Sequence, residues 1–183
     1  MPILLDSGAK VDIKDKSGQV PLHYASSKSC IRCTKLVISS QTINLKDIFG
    51  WTALHFAAES GFLDGLSLFK DNGATFLSDN QGQTPLHRAA IDSIPETVEL
   101  LLDLFKDYNL NQEDKYGRTA LDYAVMKNKN AIANILLKRG GKQGSTFKGK
   151  ILKFQNIFFY KINSLALNRE SCLQHSMATF FYN

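Results

Sequence analysis

Three histidines and a cysteine pair are the residues of this 183-residue chain whose types and spacing could carry out chemistry. Imidazoles bind metals or act as general bases, and a Cys-x-x-Cys pair binds zinc or alternates between thiol and disulfide. The histidines are His23, His55 and His87, and the pair is Cys30 and Cys33. Any shared site requires structural elements that bring these side chains together.

The histidines recur because the sequence around them recurs. Each copy reads Asp-x-x-Gly-x, then Thr or Val, then Pro or Ala, then Leu and His, and the fourth copy has Asp122 in place of His. The four copies are residues 15–27, 47–59, 79–91 and 114–126. Successive glycines are 32, 32 and 35 residues apart. A near-constant period of this length indicates a repeat architecture.

The recurring residues predict a turn followed by two helices in each copy. Asp and Gly favour the turn, and Thr then begins a helix in which Pro21 and Pro85 occupy an early position where a missing N–H is tolerated. Leucine followed by small residues such as Ala57 and Ala58 gives a short helix that packs closely. Pairs such as Leu100-Leu101 predict the second helix.

The order of turn, Thr-Pro-Leu-His-x-Ala-Ala, helix, Leu-Leu and Gly-Ala resembles the ankyrin repeat over about residues 4–141. This resemblance implies an all-α solenoid of helix-turn-helix units with short β-hairpin-like turns, followed by a non-repeat tail. The predicted divisions are a partial repeat at 1–12, repeats at 13–45, 46–77, 78–112 and 113–141, and a basic, aromatic-rich tail at 142–183. The chain thus starts within a repeat, so we expect Leu22 to be partly uncovered.

Within the family, Leu-His-Tyr-Ala-Ser at residues 22–26 resembles the gankyrin-like assembly chaperones of the proteasome. The resemblance implies a non-catalytic adaptor or chaperone that binds a protein, with a proteasomal ATPase subunit as one candidate partner and with no cofactor or metal. Two alternatives stay open. The chain is a fragment of a larger ankyrin-containing enzyme or channel, or it is a membrane-peripheral adaptor that uses its basic tail.

The repeat also gives the histidines and cysteines structural interpretations. Because the histidine recurs once per copy, we expect it to bond to the backbone of the adjoining turn, and we expect a similar polar role for Asp122. The cysteine pair lacks a second pair, and the repeat phase predicts that Cys33 is a buried thiol. The sequence therefore predicts no catalytic site.

The formal net charge of +5 is concentrated in the tail, because residues 1–141 contain 16 basic and 16 acidic residues. A balanced array favours neither nucleic acid nor membrane as a partner, and we expect a cytoplasmic or nuclear monomer. Three cysteines also fit a reducing compartment. For the tail, one hypothesis is translated non-coding sequence, and another is an amphipathic helix over residues 151–167.

The family resemblance implies a concave binding face formed by turns and first helices. Aromatic and arginine side chains at equivalent positions are the candidate protein-binding residues, since such residues dominate interface energetics. They are Tyr24, Phe49, Trp51, Phe56, Arg88, Tyr116, Arg118 and Tyr123. Packing on the neighbouring turn is the alternative role for Phe49 and Phe56. We predict that Trp51→Ala and Arg88→Ala each weaken binding by more than about 1 kcal/mol.

Overall fold

The computed structural model describes residues 10–147, and the chain divides into two units after Thr146. The described part contains eight helices and no strand, which confirms the all-α repeat prediction. The first helices of the four units are α1 (Pro21–Ser27), α3 (Ala53–Ser60), α5 (Pro85–Asp92) and α7 (Ala120–Met126). The second helices are α2 (Ile31–Val37), α4 (Leu63–Asp71), α6 (Pro95–Leu104) and α8 (Asn130–Lys138). Residues 1–9 of the partial repeat predicted at 1–12, and residues 148–183 of the tail predicted at 142–183, lie outside the described residues.

The helices begin where the sequence predicts. Thr52, Thr84 and Thr119 precede α3, α5 and α7 in an extended conformation, and the third helical residue bonds back to each cap. Pro21 and Pro85 are the first residues of α1 and α5. A proline at this position removes an N–H that has no partner within the helix.

One apolar core runs through the units, because each first helix packs on its own second helix and on the next first helix. Ala57 and Ala58 in α3 are fully buried, which allows the helices to approach closely. The expectation that Leu22 is partly uncovered is wrong, since it is 0% exposed. It belongs to the same core as Val37 and Leu54, so α1 is enclosed like the later first helices.

The three motif histidines bond to backbone carbonyls further along the chain, and those of His55 and His87 lie in the next unit. Nδ1 of His55 accepts from the Thr52 amide at 3.1 Å, so Nε2 carries the proton and donates to the Gln83 carbonyl at 3.2 Å. The equivalent Nε2 contacts are His23 to the Leu45 carbonyl (2.9 Å) and His87 to the Arg118 carbonyl (3.1 Å). The predicted structural role of these histidines is confirmed.

Asp122 reverses the direction of this hydrogen bond in the fourth unit. Its Oδ2 accepts from the Thr119 amide at 2.8 Å and from the Gly144 amide, also at 2.8 Å. The carboxylate therefore meets an N–H of the following segment, whereas the histidines meet a carbonyl. The Thr146 amide donates to the Gly117 carbonyl at 3.1 Å, so residues 142–146 remain bonded to the last unit.

Cys30 and Cys33 differ from the sequence prediction. Cys30 is the N-cap of α2, and Cys33 lies one turn later with its Cα 5.3 Å from that of Cys30. This separation is within the range that a disulfide needs, and the two cysteines form one. Cys33 is partly exposed, so the prediction of a buried free thiol is wrong.

Each unit starts with a tight turn that an aspartate holds together. In the second turn, Oδ1 of Asp47 accepts from the amides of Phe49 (2.9 Å) and Trp51 (2.8 Å). The Asn80 amide then donates to the Phe49 carbonyl at 2.9 Å, which joins this turn to the next. We refer to residues 15–19, 47–51, 79–83 and 114–118 as turns 1 to 4.

Gly50 lies where turns 2 and 3 approach each other, and its replacement tests that contact. Gly50 and Gly73 have similar positive φ values, +82° and +80°. An added Cβ would lie 2.7 Å from the Asn80 backbone nitrogen at Gly50, but it would meet nothing within 4 Å at Gly73. We expect Gly50→Ala to destabilise the protein by at least about 1 kcal/mol more than Gly73→Ala.

Urea unfolding of both glycine variants measures this difference. Gly73→Ala is the matched control because it carries the conformational cost of positive φ without the steric contact. Equal free energies of unfolding for the two variants would contradict the close approach of turns 2 and 3.

Candidate protein-binding site

A cleft of about 570 Å³ opens between turns 2, 3 and 4 and the adjoining first helices, and turn 1 contributes Gln19 to its lining. It is lined by Gln19, Asp47, Phe49, Trp51, Phe56, Asp79, Asn80, Gln81, Gln83, Arg88 and Tyr116. Five of the predicted binding residues are among them, namely Phe49, Trp51, Phe56, Arg88 and Tyr116. The structure therefore brings together most of the predicted set, while Tyr24, Arg118 and Tyr123 lie outside the lining.

Trp51 and Arg88 form one wall of the cleft and hold each other in place. The guanidinium carbon of Arg88 lies 4.1 Å from the centroid of the Trp51 ring. Nη2 of Arg88 pairs with Glu59 at 2.5 Å, and Nε1 of Trp51 donates to Asp79 at 3.1 Å. A cation on an aromatic face that also has a carboxylate partner is stabilised by both contacts. This wall is therefore organised before any partner arrives.

Arg118 occupies a similar arrangement at turn 4. Its guanidinium carbon lies 4.4 Å from the Tyr116 ring centroid and 4.6 Å from that of Tyr123. Nη2 of Arg118 is 3.4 Å from Oδ2 of Asp114. Arg118 thus lies between two aromatic rings and beside a carboxylate.

Tyr123 is buried, although the repeat pattern makes it a binding candidate. It is 6% exposed, and its hydroxyl donates to Asp114 at 2.7 Å and accepts from Gln83 at 2.8 Å. Burial and then the Asp114 carboxylate raise the pKa of Tyr123. Burial opposes ionisation of Asp114, but the hydrogen bonds from Tyr123 and from backbone amides hold the pKa of this carboxyl below its usual value. The structure therefore gives Tyr123 a packing role.

Three of the predicted aromatic residues are well exposed: Tyr24 at 51%, Phe49 at 60% and Tyr116 at 55%. The hydroxyl of Tyr24 donates to Asp15 at 2.7 Å, which holds the ring against turn 1. Ile48, at 57% exposed, is an additional apolar residue beside Phe49 that the sequence interpretation missed. Its signal was an apolar pair at the tip of turn 2, where turns 1 and 3 have polar residues.

Asp47 and Asp79 were also missed as site residues, because the repeat assigns both to turn formation. Their Oδ1 atoms do form the turns, but both side chains line the cleft as well. Oδ2 of Asp47 accepts from the Gln19 side chain at 3.4 Å. The cleft therefore combines carboxylates with exposed aromatic rings.

The carboxylates and exposed aromatic rings of the cleft are groups that can contact a binding partner. The three motif histidines, which could have served as bases or ligands, are occupied by their backbone hydrogen bonds. Across residues 10–147 there is no group of three His, Cys, Asp or Glu side chains that could hold a metal ion. None of the helices in this same part of the chain is long and apolar enough to cross a membrane.

Comparison with known families supports the repeat interpretation. A family model described as ankyrin repeats, in three copies, matches residues 1–80 and 66–146. No curated protein matches the chain. Ankyrin repeats are generally protein-interaction modules and are typically non-catalytic. Because the matches cover more than half of its length and agree with four units of paired helices, the chain belongs to the ankyrin-repeat family.

Proposed function

We propose that this protein is a non-catalytic adaptor or assembly chaperone that binds another protein through the cleft between turns 2, 3 and 4. The observation that carries the proposal is the exposure of Phe49 and Tyr116 at the rim of a cleft. Large aromatic side chains in such positions gain most by being covered, and they are frequent anchors of protein interfaces. We place this activity in the cytoplasm or nucleus.

The cleft suits a partner because some of its side chains are held in place by contacts within the protein and others are exposed to solvent. Trp51 and Arg88 are fixed by their mutual contact and by Asp79 and Glu59. Binding to a fixed wall avoids much of the entropy cost of ordering side chains. Phe49 lies in the same cleft and remains 60% exposed, so a partner can bury it.

Affinity capture with the full chain, followed by mass spectrometry, identifies the partner. A proteasomal ATPase subunit is the specific candidate, and it follows from the Leu-His-Tyr-Ala-Ser resemblance at residues 22–26. Enrichment of proteasomal ATPase subunits supports an assembly-chaperone role. Enrichment of another partner supports an adaptor role and removes the proteasomal link.

We predict that Phe49→Ala weakens binding of the captured partner by more than about 1 kcal/mol while stability stays within about 0.5 kcal/mol. Isothermal calorimetry measures the affinity, and urea unfolding measures the stability. Leu36→Ala is the control, because Leu36 is an exposed apolar side chain (42%) on α2 that does not line the cleft. Equal affinity of the wild type and Phe49→Ala would remove the cleft as the binding site.

The structure changes how the Trp51→Ala and Arg88→Ala predictions are tested. Truncation of Trp51 leaves Oδ2 of Asp79 without its indole donor, and truncation of Arg88 leaves Glu59 without its cation. Each binding measurement on these two variants therefore needs an unfolding measurement beside it. Loss of affinity at unchanged stability assigns the side chain to the interface.

A further inference from the structure

We infer that the segment bound in the cleft presents a basic side chain, arginine or lysine, to the carboxylates of Asp47 and Asp79. This inference rests on the proposed function and specifies the chemistry of the partner. At two places among the described residues, a carboxylate and an aromatic ring share a bound arginine. At a third place, near Asp47 and Asp79, carboxylates and aromatic rings also lie close together, but no cation within residues 10–147 pairs with them.

The first two places show what this combination of groups binds. Arg88 lies on Trp51 and pairs with Glu59. Arg118 lies between Tyr116 and Tyr123 and pairs with Asp114. In both places a guanidinium satisfies a carboxylate and covers an aromatic face at the same time.

The third place lacks such a cation. Arg118 follows Asp114 by four residues, whereas the equivalent residue in turn 2 is Trp51 and in turn 3 is Gln83. Within the described residues, the ion pairs involve Glu59, Asp103 and Asp114, and none involves Asp47 or Asp79. These two carboxylates therefore have hydrogen bonds but no positive partner.

The charge of the cleft favours a cation over other groups. Its lining contains two carboxylates, Asp47 and Asp79, and one cation, Arg88, whose charge Glu59 already offsets. An acidic side chain would be repelled at this place. A purely apolar segment would remove water from the carboxylates and offer no hydrogen bond or charge in its place. Such desolvation costs free energy.

Asp47 is only 7% exposed, so a basic side chain reaches its carboxylate by displacing the Gln19 side chain. Among residues 10–147, the partner of its Oδ2 atom is the side-chain amide of Gln19 at 3.4 Å, which is long for a hydrogen bond. The exposed ring of Phe49 stands beside it in the cleft and can pack against the stem of an incoming basic side chain. A guanidinium or ammonium group can therefore replace a weak contact with a charge-assisted one.

Selection of peptides on the full chain tests this inference even while the partner is unidentified. The probe is a displayed library of random peptides of about 12 residues, counter-selected against Phe49→Ala to keep cleft binders. We expect the enriched peptides to share an arginine or lysine, and replacement of that residue by glutamine to weaken binding about 10-fold in fluorescence anisotropy. Enriched cleft binders without a shared basic residue overturn the inference.

A matched pair of charge variants completes the test. Asp47→Asn keeps the Oδ1 acceptor that forms turn 2 and removes the charge, and Asp64→Asn removes an exposed charge at the start of α4, outside the cleft. We expect only Asp47→Asn to weaken the basic peptide about 10-fold and to reduce the salt dependence of its affinity. Equal affinities of the two variants overturn the inference.

The outcomes separate this inference from the proposed function. If the library yields no peptide that depends on Phe49, both fail. If it yields cleft binders that are acidic or purely apolar, the cleft remains a protein-binding site and only the basic partner chemistry is wrong.

Discussion

Replacement of Phe69 by alanine is expected to lower the free energy of unfolding by about 3–5 kcal/mol. Phe69 lies in α4, is 0% exposed, and meets Phe62 edge to face with ring centroids 6.4 Å apart. Its removal takes away buried apolar area and leaves a cavity that the neighbouring helices fill only partly. Because each unit is stabilised by its neighbours, the loss extends to the packing of α4 on α6.

Phe49→Ala is the matched control, since it makes the same chemical change at a ring that is 60% exposed. We expect its effect on stability to stay within about 0.5 kcal/mol. Urea unfolding followed by circular dichroism compares the two variants. If Phe49→Ala destabilises the protein as much as Phe69→Ala, Phe49 belongs to the core and is not available to a partner.

Acidification from pH 6.5 to about 4 is expected to destabilise the protein by an amount on the order of 3 kcal/mol through His55 alone. Burial lowers the pKa of His55 from its ordinary 6.5 to about 4. An unfolded chain therefore takes up a proton at this residue below pH 6.5, while the native chain resists it until about pH 4. Since the unfolded state binds more protons in this window, stability falls as the pH falls.

The other histidines and the aspartates with shifted pKa values either also lower the stability between pH 6.5 and about 4 or change it at more acidic pH. Burial also lowers the pKa of His23 and His87. The Tyr24 hydroxyl, which donates to Asp15, holds the pKa of that carboxyl below its usual value, and the pKa of Asp114 is likewise lowered. The stability contributed by these carboxylates is lost only at more acidic pH.

Urea unfolding at pH 7.5 and pH 4.5 measures the predicted loss, and NMR of the imidazole protons reports the pKa of His55 directly. His55→Gln provides the control, because a glutamine cannot titrate and should reduce the difference between the two pH values. A native His55 that titrates near pH 6.5 would contradict its burial between Thr52 and the Gln83 carbonyl.

The fold was largely predictable because every unit needs the same residues for the same physical reasons. Threonine and an early proline mark the helix starts, and pairs of small residues such as Ala57 and Ala58 mark the close helix contacts. The structural role of the histidines was predictable from their recurrence. A side chain that appears at the same position in successive units most simply stabilises the fold that these units share. The repeat ranges themselves stay predictions.

The candidate site was only partly predictable, because exposure depends on side chains from neighbouring units. Tyr24 and Tyr123 occupy equivalent positions, yet the first is 51% exposed and the second 6%. The difference arises because Tyr123 bonds to both Asp114 and Gln83, a residue 40 positions away in sequence. The Cys30–Cys33 disulfide was missed because the repeat phase predicts which face a residue occupies but not whether two thiols meet.

The change from histidine to Asp122 also affects how the array can be lengthened by gene duplication. If the third unit were duplicated in tandem, the histidine of each copy would donate its imidazole proton to a backbone carbonyl of the next unit, as His87 does now. A duplicate of the fourth unit placed behind the original would set the Asp122 carboxylate against that carbonyl, with no proton to share. Duplication of an interior unit is therefore compatible with the existing hydrogen bonds between units. Duplication of the fourth unit first requires an Asp122→His replacement.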